Sequence, residues 1–346
     1  MKLSALLLLP LVTVPGAWAN TSSRQEPRQA DEPVAPEYSF TRGVAFLDAR
    51  AKEWGEKRKC VTCHTNGLAL LAQPLISEKP EEVKRTREFA SAYLADYLSG
   101  EKQAKGQHGS LTGMVATTAF LALSDARSKS GLQAITRRGI DYAWENLDES
   151  GTWQGWLQCN WPPFESDAAF GPCLMLIALG ECRSAQPSEP LAEQDIHGAQ
   201  RLISWLKSSP PQGLHDKAMR LWAHQDWPTL LTDKEERTWT RALRNAQGRD
   251  GGWSMAQMAA PSWKHDSGQP QVADSEAYPT AFSLYVLLQL GAKRESTGIS
   301  KGLRWLRKHQ RSSGAWFTAS PRRNRKHFIS HAATAWALLV LRKDQH

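Results

Sequence analysis

Beyond its first residues the chain has no apolar stretch approaching the roughly 18 uninterrupted residues that a membrane-spanning helix needs, so no membrane span is expected. Cysteine is scarce: there are five, and no second C-x-x-C completes a four-cysteine zinc site. The strand and helix pattern expected around a thioredoxin-type pair is missing too. From Thr65 to Gln107 there is neither Met nor His. Acid is scarce late in the chain, where eleven Lys or Arg from Lys301 onward face a single acid, Asp344. Four of these cations lie in Arg322-Arg323-Asn324-Arg325-Lys326, beside His327. Such a run reads as a solvated loop, with peripheral contact to anionic lipid, an acidic partner protein or haem propionates as the sharper reading. No nucleic-acid partner is expected.

What is present begins with an export pattern. Lys2, the apolar run Leu3 to Val14 and the small-x-small triplet Ala17-Trp18-Ala19 predict a signal peptide over 1–19 and a periplasmic or otherwise exported mature chain. Residues 20–39, rich in Pro, Ser, Gln and charge, read as a disordered tether. Then comes Cys60-Val61-Thr62-Cys63-His64. Two thiols three residues apart, with an imidazole next to the second, suit covalent attachment of haem c, with His64 as the proximal iron ligand. A reactive thiol pair and half of a zinc site share the same spacing. Residues 40–80 are accordingly expected to be a short helical haem-attachment segment. With no Met or His directly after the motif, a sixth ligand would come from His108 or Met114, then Met255 or Met258.

The 346 residues, 41% of them hydrophobic, can bury a sizeable core, and 15 Trp are a marked excess. Helices are expected over 42–59 and 81–99 from their apolar stripes. Further on, three segments repeat a helix, a Gly-x-Trp turn, a loop and a second apolar helix. The turns are Gly151-Thr152-Trp153, Gly251-Gly252-Trp253 and Gly314-Ala315-Trp316. Gln247 and Gln310 precede two of them by four residues, and Leu147 stands there in the first. Less regular copies fit at 109–124 and 199–224. A single helical hairpin cannot bury its own apolar face, so repeats of this kind stack, and the fold is expected to be all-α.

The Gln-x3-Gly-x-Trp elements, with Trp305-Leu306 upstream of the second, resemble the QW repeats of the squalene-hopene cyclase and terpenoid cyclase superfamily. Phrases such as Asp274-Ser275-Glu276-Ala277-Tyr278 resemble exported bacterial cyclase-like proteins with a C-x-x-C-H motif. The resemblance implies an α/α toroid of stacked helical hairpins over 81–346, with inner helices around a central apolar cavity. Cyclases that protonate their substrate use Asp-x-Asp-Asp, which is absent, as is the Asp-rich motif of those that ionise a diphosphate. A prenyltransferase-like zinc site would need a cysteine that Asp274-Ser275-Glu276 lacks, although His331 lies at a fitting distance downstream.

Two functional classes follow. One is an exported haem protein passing electrons to a redox partner protein. The other is a haem-dependent enzyme acting on an apolar isoprenoid- or sterol-like ligand held in the toroid, with a non-catalytic cyclase-like binding protein as a lesser form. Glu165, Asp167, Asp274 and Glu276 precede inner helices and are either helix caps or acid–base groups facing the cavity. Cys173 and Cys182, nine residues apart in an expected helix, are roughly 13 Å from each other and out of disulfide reach. At most Cys159 pairs with one of them; burial of all three as apolar thiols is the alternative.

Overall fold

The computed structural model describes residues 29–101, 109–153, 162–164, 167–324 and 326–342. The expected signal peptide, His108, Cys159, Glu165 and Arg325 lie outside them. In chain order the helices are α1 (Phe40–Arg58), α2 (Asn66–Ile76), α3 (Pro80–Leu98), α4 (Gly109–Arg127), α5 (Ala134–Glu145), α6 (Phe170–Ala185), α7 (Glu193–Ser208) and α8 (Leu214–His224). There follow α9 (Asp233–Asn245), the single turn α10 (Met255–Met258), α11 (Ala277–Gln289), α12 (Thr297–Lys308) and α13 (Ile329–Leu341). Two short strands, β1 (Trp253–Ser254) and β2 (Ser275–Glu276), pair antiparallel with Trp253 opposite Glu276.

The architecture is all-α, an α/α toroid. Helices α2, α4, α6, α8, α11 and α13 pack each on the next, and α13 returns to α2, closing a ring. Helices α1, α3, α5, α7, α9 and α12 lie outside it. Sequence composition sorts the two layers. The inner helices α6, α11 and α13 are apolar nearly all round and bury almost every residue, whereas α9 buries only Leu243 and α12 a single stripe. Outer and inner helices alternate along the chain, so all six inner helices start at the same end of the ring. Residues 40–76 supply its first hairpin, α1 and α2.

The repeat tryptophans hold outer to inner helices. The indole N–H of Trp153, Trp253 and Trp316 donates to the carbonyl ten residues back, that of Ala143, Leu243 and Leu306, each at 2.8 Å. The backbone N–H groups of Trp253 and Trp316 donate to Thr280 and Thr334 of the inner helices at 2.8 and 3.0 Å. Gly314 adopts φ 97°, a left-handed conformation that favours glycine, and packs on the backbone of Arg42 in α1. Gln310 seals that junction: its side chain accepts from Ser39 N–H at 2.7 Å and donates to the carbonyls of Ser39 and Gly314. Trp316→Phe is expected to lower stability by about 1–3 kcal/mol in urea unfolding, because the buried Leu306 carbonyl loses its donor.

The segment read as a tether is in part a strap. Ala35 N–H donates to the Gln310 carbonyl at 2.7 Å, Ser312 N–H to the Pro33 carbonyl at 3.0 Å, and Arg311 to the Glu32 carbonyl at 2.6 Å. The first and last hairpins are thereby joined.

Among the described residues the ring's centre is packed. Leu68, Phe120, Leu174, Trp222, Phe282 and Trp336, one from each inner helix, converge with other large side chains on a residual void of about 10 Å³. The expected apolar cavity for an isoprenoid or sterol is therefore corrected: bulky rings at the inward positions occupy it. At the end where the inner helices finish, Arg127 of α4 reaches across. Its guanidinium binds both Glu181 oxygens at 2.6 Å, the Leu71 carbonyl at 2.8 Å and the Tyr285 hydroxyl at 2.7 Å, joining α6, α2 and α11. No helix among the described residues is long and apolar enough to cross a membrane.

Candidate functional site

The chemistry-bearing residues gather at the opposite end, where the inner helices begin. Asp167, three residues before α6, is 5% exposed. Its Oδ2 accepts from the Trp263 indole at 3.0 Å and its Oδ1 from the Ser262 hydroxyl at 3.3 Å. Burial raises its pKa from 3.8 to about 6, with Asp216 adding to the rise and the two hydrogen bonds opposing it. Glu276, the residue before α11, is buried and accepts from the Ala319 N–H at 2.7 Å through Oε1. Among the described residues its Oε2 is buried with no partner, and burial raises its pKa from 4.5 to about 7, with Asp274 contributing. Neither carboxyl makes a cap bond to its own helix. The cap reading is therefore set aside for both. Asp274 is exposed in the loop before β2.

Between these acids lie residues that sequence reasoning did not select. His215, at the start of α8, meets the Tyr278 hydroxyl through Nε2 at 2.9 Å and stacks on Phe282 with ring centroids 4.8 Å apart. The Trp263 ring lies 5.4 Å from it. Burial lowers the pKa of His215 to about 3, so the imidazole is neutral. Tyr278 stands two residues after Glu276, and burial raises its hydroxyl well above 10. A His-Asp pair opening an inner helix was the available signal for His215; Trp263 reaches Asp167 from 96 residues away and offered none.

A loop from α10 to β2 covers Asp167. Asp266 pairs with Arg322 at 3.2 Å and also with Arg323, while Gln271 donates to the Pro321 carbonyl at 2.8 Å. Part of the basic run thus tethers this loop instead of standing free in solvent.

The C-x-x-C-H segment forms a turn ahead of α2. His64 Nδ1 meets the Thr65 hydroxyl at 2.8 Å, and that hydroxyl meets His331 Nδ1 at 2.9 Å. Phe328 stacks on His64 at 5.4 Å and Trp54 meets its edge at 5.0 Å. Cys63 is 2% exposed and part of the packed core. A porphyrin bonded to both sulfurs would need a flat slot beside this turn, reaching a sulfur that the core encloses. As packed, these residues do not fit haem c. Of the expected sixth ligands, Met114, Met255 and Met258 are buried in the core, and Met258 Sδ accepts from Ser283 at 3.8 Å. Among the described residues no group of three or more His, Cys, Asp or Glu is placed to hold a metal, so the zinc arrangement of Asp274, Glu276 and His331 is not formed.

The raised carboxyls Asp167 and Glu276 and the buried imidazoles, among them His64, His215 and His331, act oppositely on stability. Asp167 and Glu276 hold protons more tightly folded than unfolded, so the stability they lend is full below about pH 4 and is lost as pH rises through about 6 to 7. His215 and His331, both lowered by burial to about 3, lend stability above about pH 6.5 that is lost as pH falls. The Asp167→Asn, Glu276→Gln double variant is expected to gain melting temperature relative to the parent as pH goes from 4 to 8. Thermal melts across that range check it.

No protein-family model and no curated protein matches this chain. Solved structures do. A "possible member of GH105 family" from Salmonella enterica serovar Paratyphi A aligns with TM-score 0.50 at 14% identity, covering 92% of this chain and 97% of that one. A polysaccharide lyase, BACCELL_00875, gives 0.48 at 12% identity over 87% and 96% of the two chains. A glycosidase variant, E178A, gives 0.47 at 14% over 92% of each. Two expectations are corrected. The GH105 candidate, at TM-score 0.50, shares the α/α toroid fold, and the squalene-hopene or terpenoid cyclase relation and the haem electron-transfer role expected from sequence are corrected accordingly and not carried further. The physical reason is plain in the fold: the QW-like tryptophans that suggested a cyclase are spent on closing hairpins, a task any α/α toroid sets.

Proposed function

We propose that the protein is a carbohydrate-active enzyme, exported as its leader suggests, whose acid–base site lies where the inner helices begin. The observation that carries this reading is the pair of buried carboxyls, Asp167 and Glu276, whose protons are held near neutral pH. Glycoside hydrolysis needs one protonated carboxyl to donate to the leaving oxygen and one ionised carboxylate to act on water or on the sugar. Glu276, with the higher pKa of about 7, is the donor; Asp167, at about 6, is the more ionised partner. The neighbouring Trp263 and Tyr278 offer the ring faces and hydroxyl that a sugar ring packs and bonds against. The GH105 candidate that shares the fold supports the choice of substrate class.

The test is a panel of oligosaccharides incubated with the purified chain and with Glu276→Gln. Release of new reducing ends by the parent and not by the variant supports the assignment. An unsaturated product, formed by elimination without water, or equal release by both proteins, sinks it.

A further inference from the structure

The proposed carbohydrate site leaves the C-x-x-C turn unused, and its geometry has a chemistry of its own. Asn66, the first residue of α2, ties the turn at two points: its side chain accepts from Thr62 N–H at 2.9 Å and donates to the Cys60 carbonyl at 3.0 Å. Gly67 N–H closes it on the Thr62 carbonyl at 3.0 Å. The segment bearing Cys60 is thus folded back on the start of the helix that Cys63 precedes. Residues three apart in such a turn have Cα atoms within about 7 Å, near the range that a disulfide spans. The two thiols differ in access: Cys60 is half-buried and Cys63 buried. An accessible sulfur beside an enclosed one is the arrangement that thiol–disulfide exchange requires, one to meet the partner and one to resolve it. The remaining described cysteines are unlike them. Cys173 and Cys182 lie inside α6, and burial pushes the Cys182 thiol up to about 12.

We propose that Cys60 and Cys63 form a thiol–disulfide couple that exchanges two electrons with a disulfide of a partner protein or a small thiol. The Cys60 thiolate attacks one sulfur of the partner disulfide, forming a mixed disulfide and releasing one partner thiol. Cys63, losing its proton, then attacks the Cys60 sulfur; the Cys60–Cys63 bond forms and the second partner thiol leaves. Two protein thiols are oxidised, one disulfide is reduced to two thiols, and their two protons go to those thiols.

The pair is independent of the carbohydrate reading and survives its failure. The experiment equilibrates the full chain with graded ratios of reduced to oxidised glutathione, alkylates it with N-ethylmaleimide and maps the peptides by mass. Both labels are expected to vanish together from the 60–63 peptide along a single two-electron curve. Cys63→Ser should retain glutathione on Cys60, and Cys60→Ser should react with oxidised glutathione at least about 10-fold more slowly at Cys63. If either variant fails to fold, the parent's titration decides. Independent alkylation of Cys60 and Cys63 at every ratio, or a porphyrin held by thioether bonds on these sulfurs, would overturn the proposal.

Discussion

Glu276→Gln is expected to cut turnover by about 10²–10⁴-fold, the usual contribution of a general acid, while shifting stability by less than about 1 kcal/mol. The reasoning rests on what Glu276 already is in the fold. Its carboxyl is buried and, with a pKa raised to about 7, holds its proton in a large share of molecules near neutral pH; one oxygen accepts from Ala319 and the other has no partner among the described residues. Glutamine keeps the acceptor for Ala319 and the neutral charge, so the protein loses little; it cannot give up a proton, so the reaction loses its donor. In the parent, activity should fall below about pH 6 as Asp167 takes a proton and above about pH 7 as Glu276 loses one, giving a narrow bell. Glu276→Gln should remove the alkaline limb along with most of the rate. A variant with unchanged turnover would return Glu276 to a structural role.

Arg127→Met should produce the largest loss of stability, about 3–5 kcal/mol by urea unfolding, since removing one member of a buried pair strands the other. Three groups lose their donor together: the Glu181 carboxylate, the Leu71 carbonyl and the Tyr285 hydroxyl. The double variant Arg127→Met, Glu181→Leu should recover part of the loss, because no carboxylate is then left without its cation. If the single and double variants are equally unstable, the guanidinium acts through packing instead of charge.

Much of the ring could be read from sequence because its repeat is local. The glycine, the tryptophan two residues later and the carbonyl ten residues earlier lie in one hairpin, so Gly151, Gly251 and Gly314 announced their hairpins correctly. Helix α2 was missed: it has 11 residues, contains Pro74, and is apolar on nearly every face, so no stripe marks it. The acids Asp167 and Glu276 were selected as residues preceding inner helices, yet the hydrogen-bond partners that hold them come from distant loops. Trp263 and Ala319 approach them from 96 and 43 positions away, separations over which no spacing rule operates. The C-x-x-C-H motif is limited for a related reason. It records the order of five residues and says nothing of Cys63 being enclosed by the core. The cyclase likeness erred because turn closure, which the QW-like residues serve, does not depend on what the ring's centre holds.

The strap at Gln310 changes how the array should come apart. An open stack of hairpins loses its end units first, each costing one interface, and shortened stacks remain folded. Here the last hairpin also rests on the first, and Ser39 bonds to a glutamine 271 residues later, so the array has no free end from which to fray. Removing α13 would expose two inner faces at once, those of α11 and α2. A circle of units of this kind melts as one body, and its folding must await the meeting of its two ends, a late and entropically costly step.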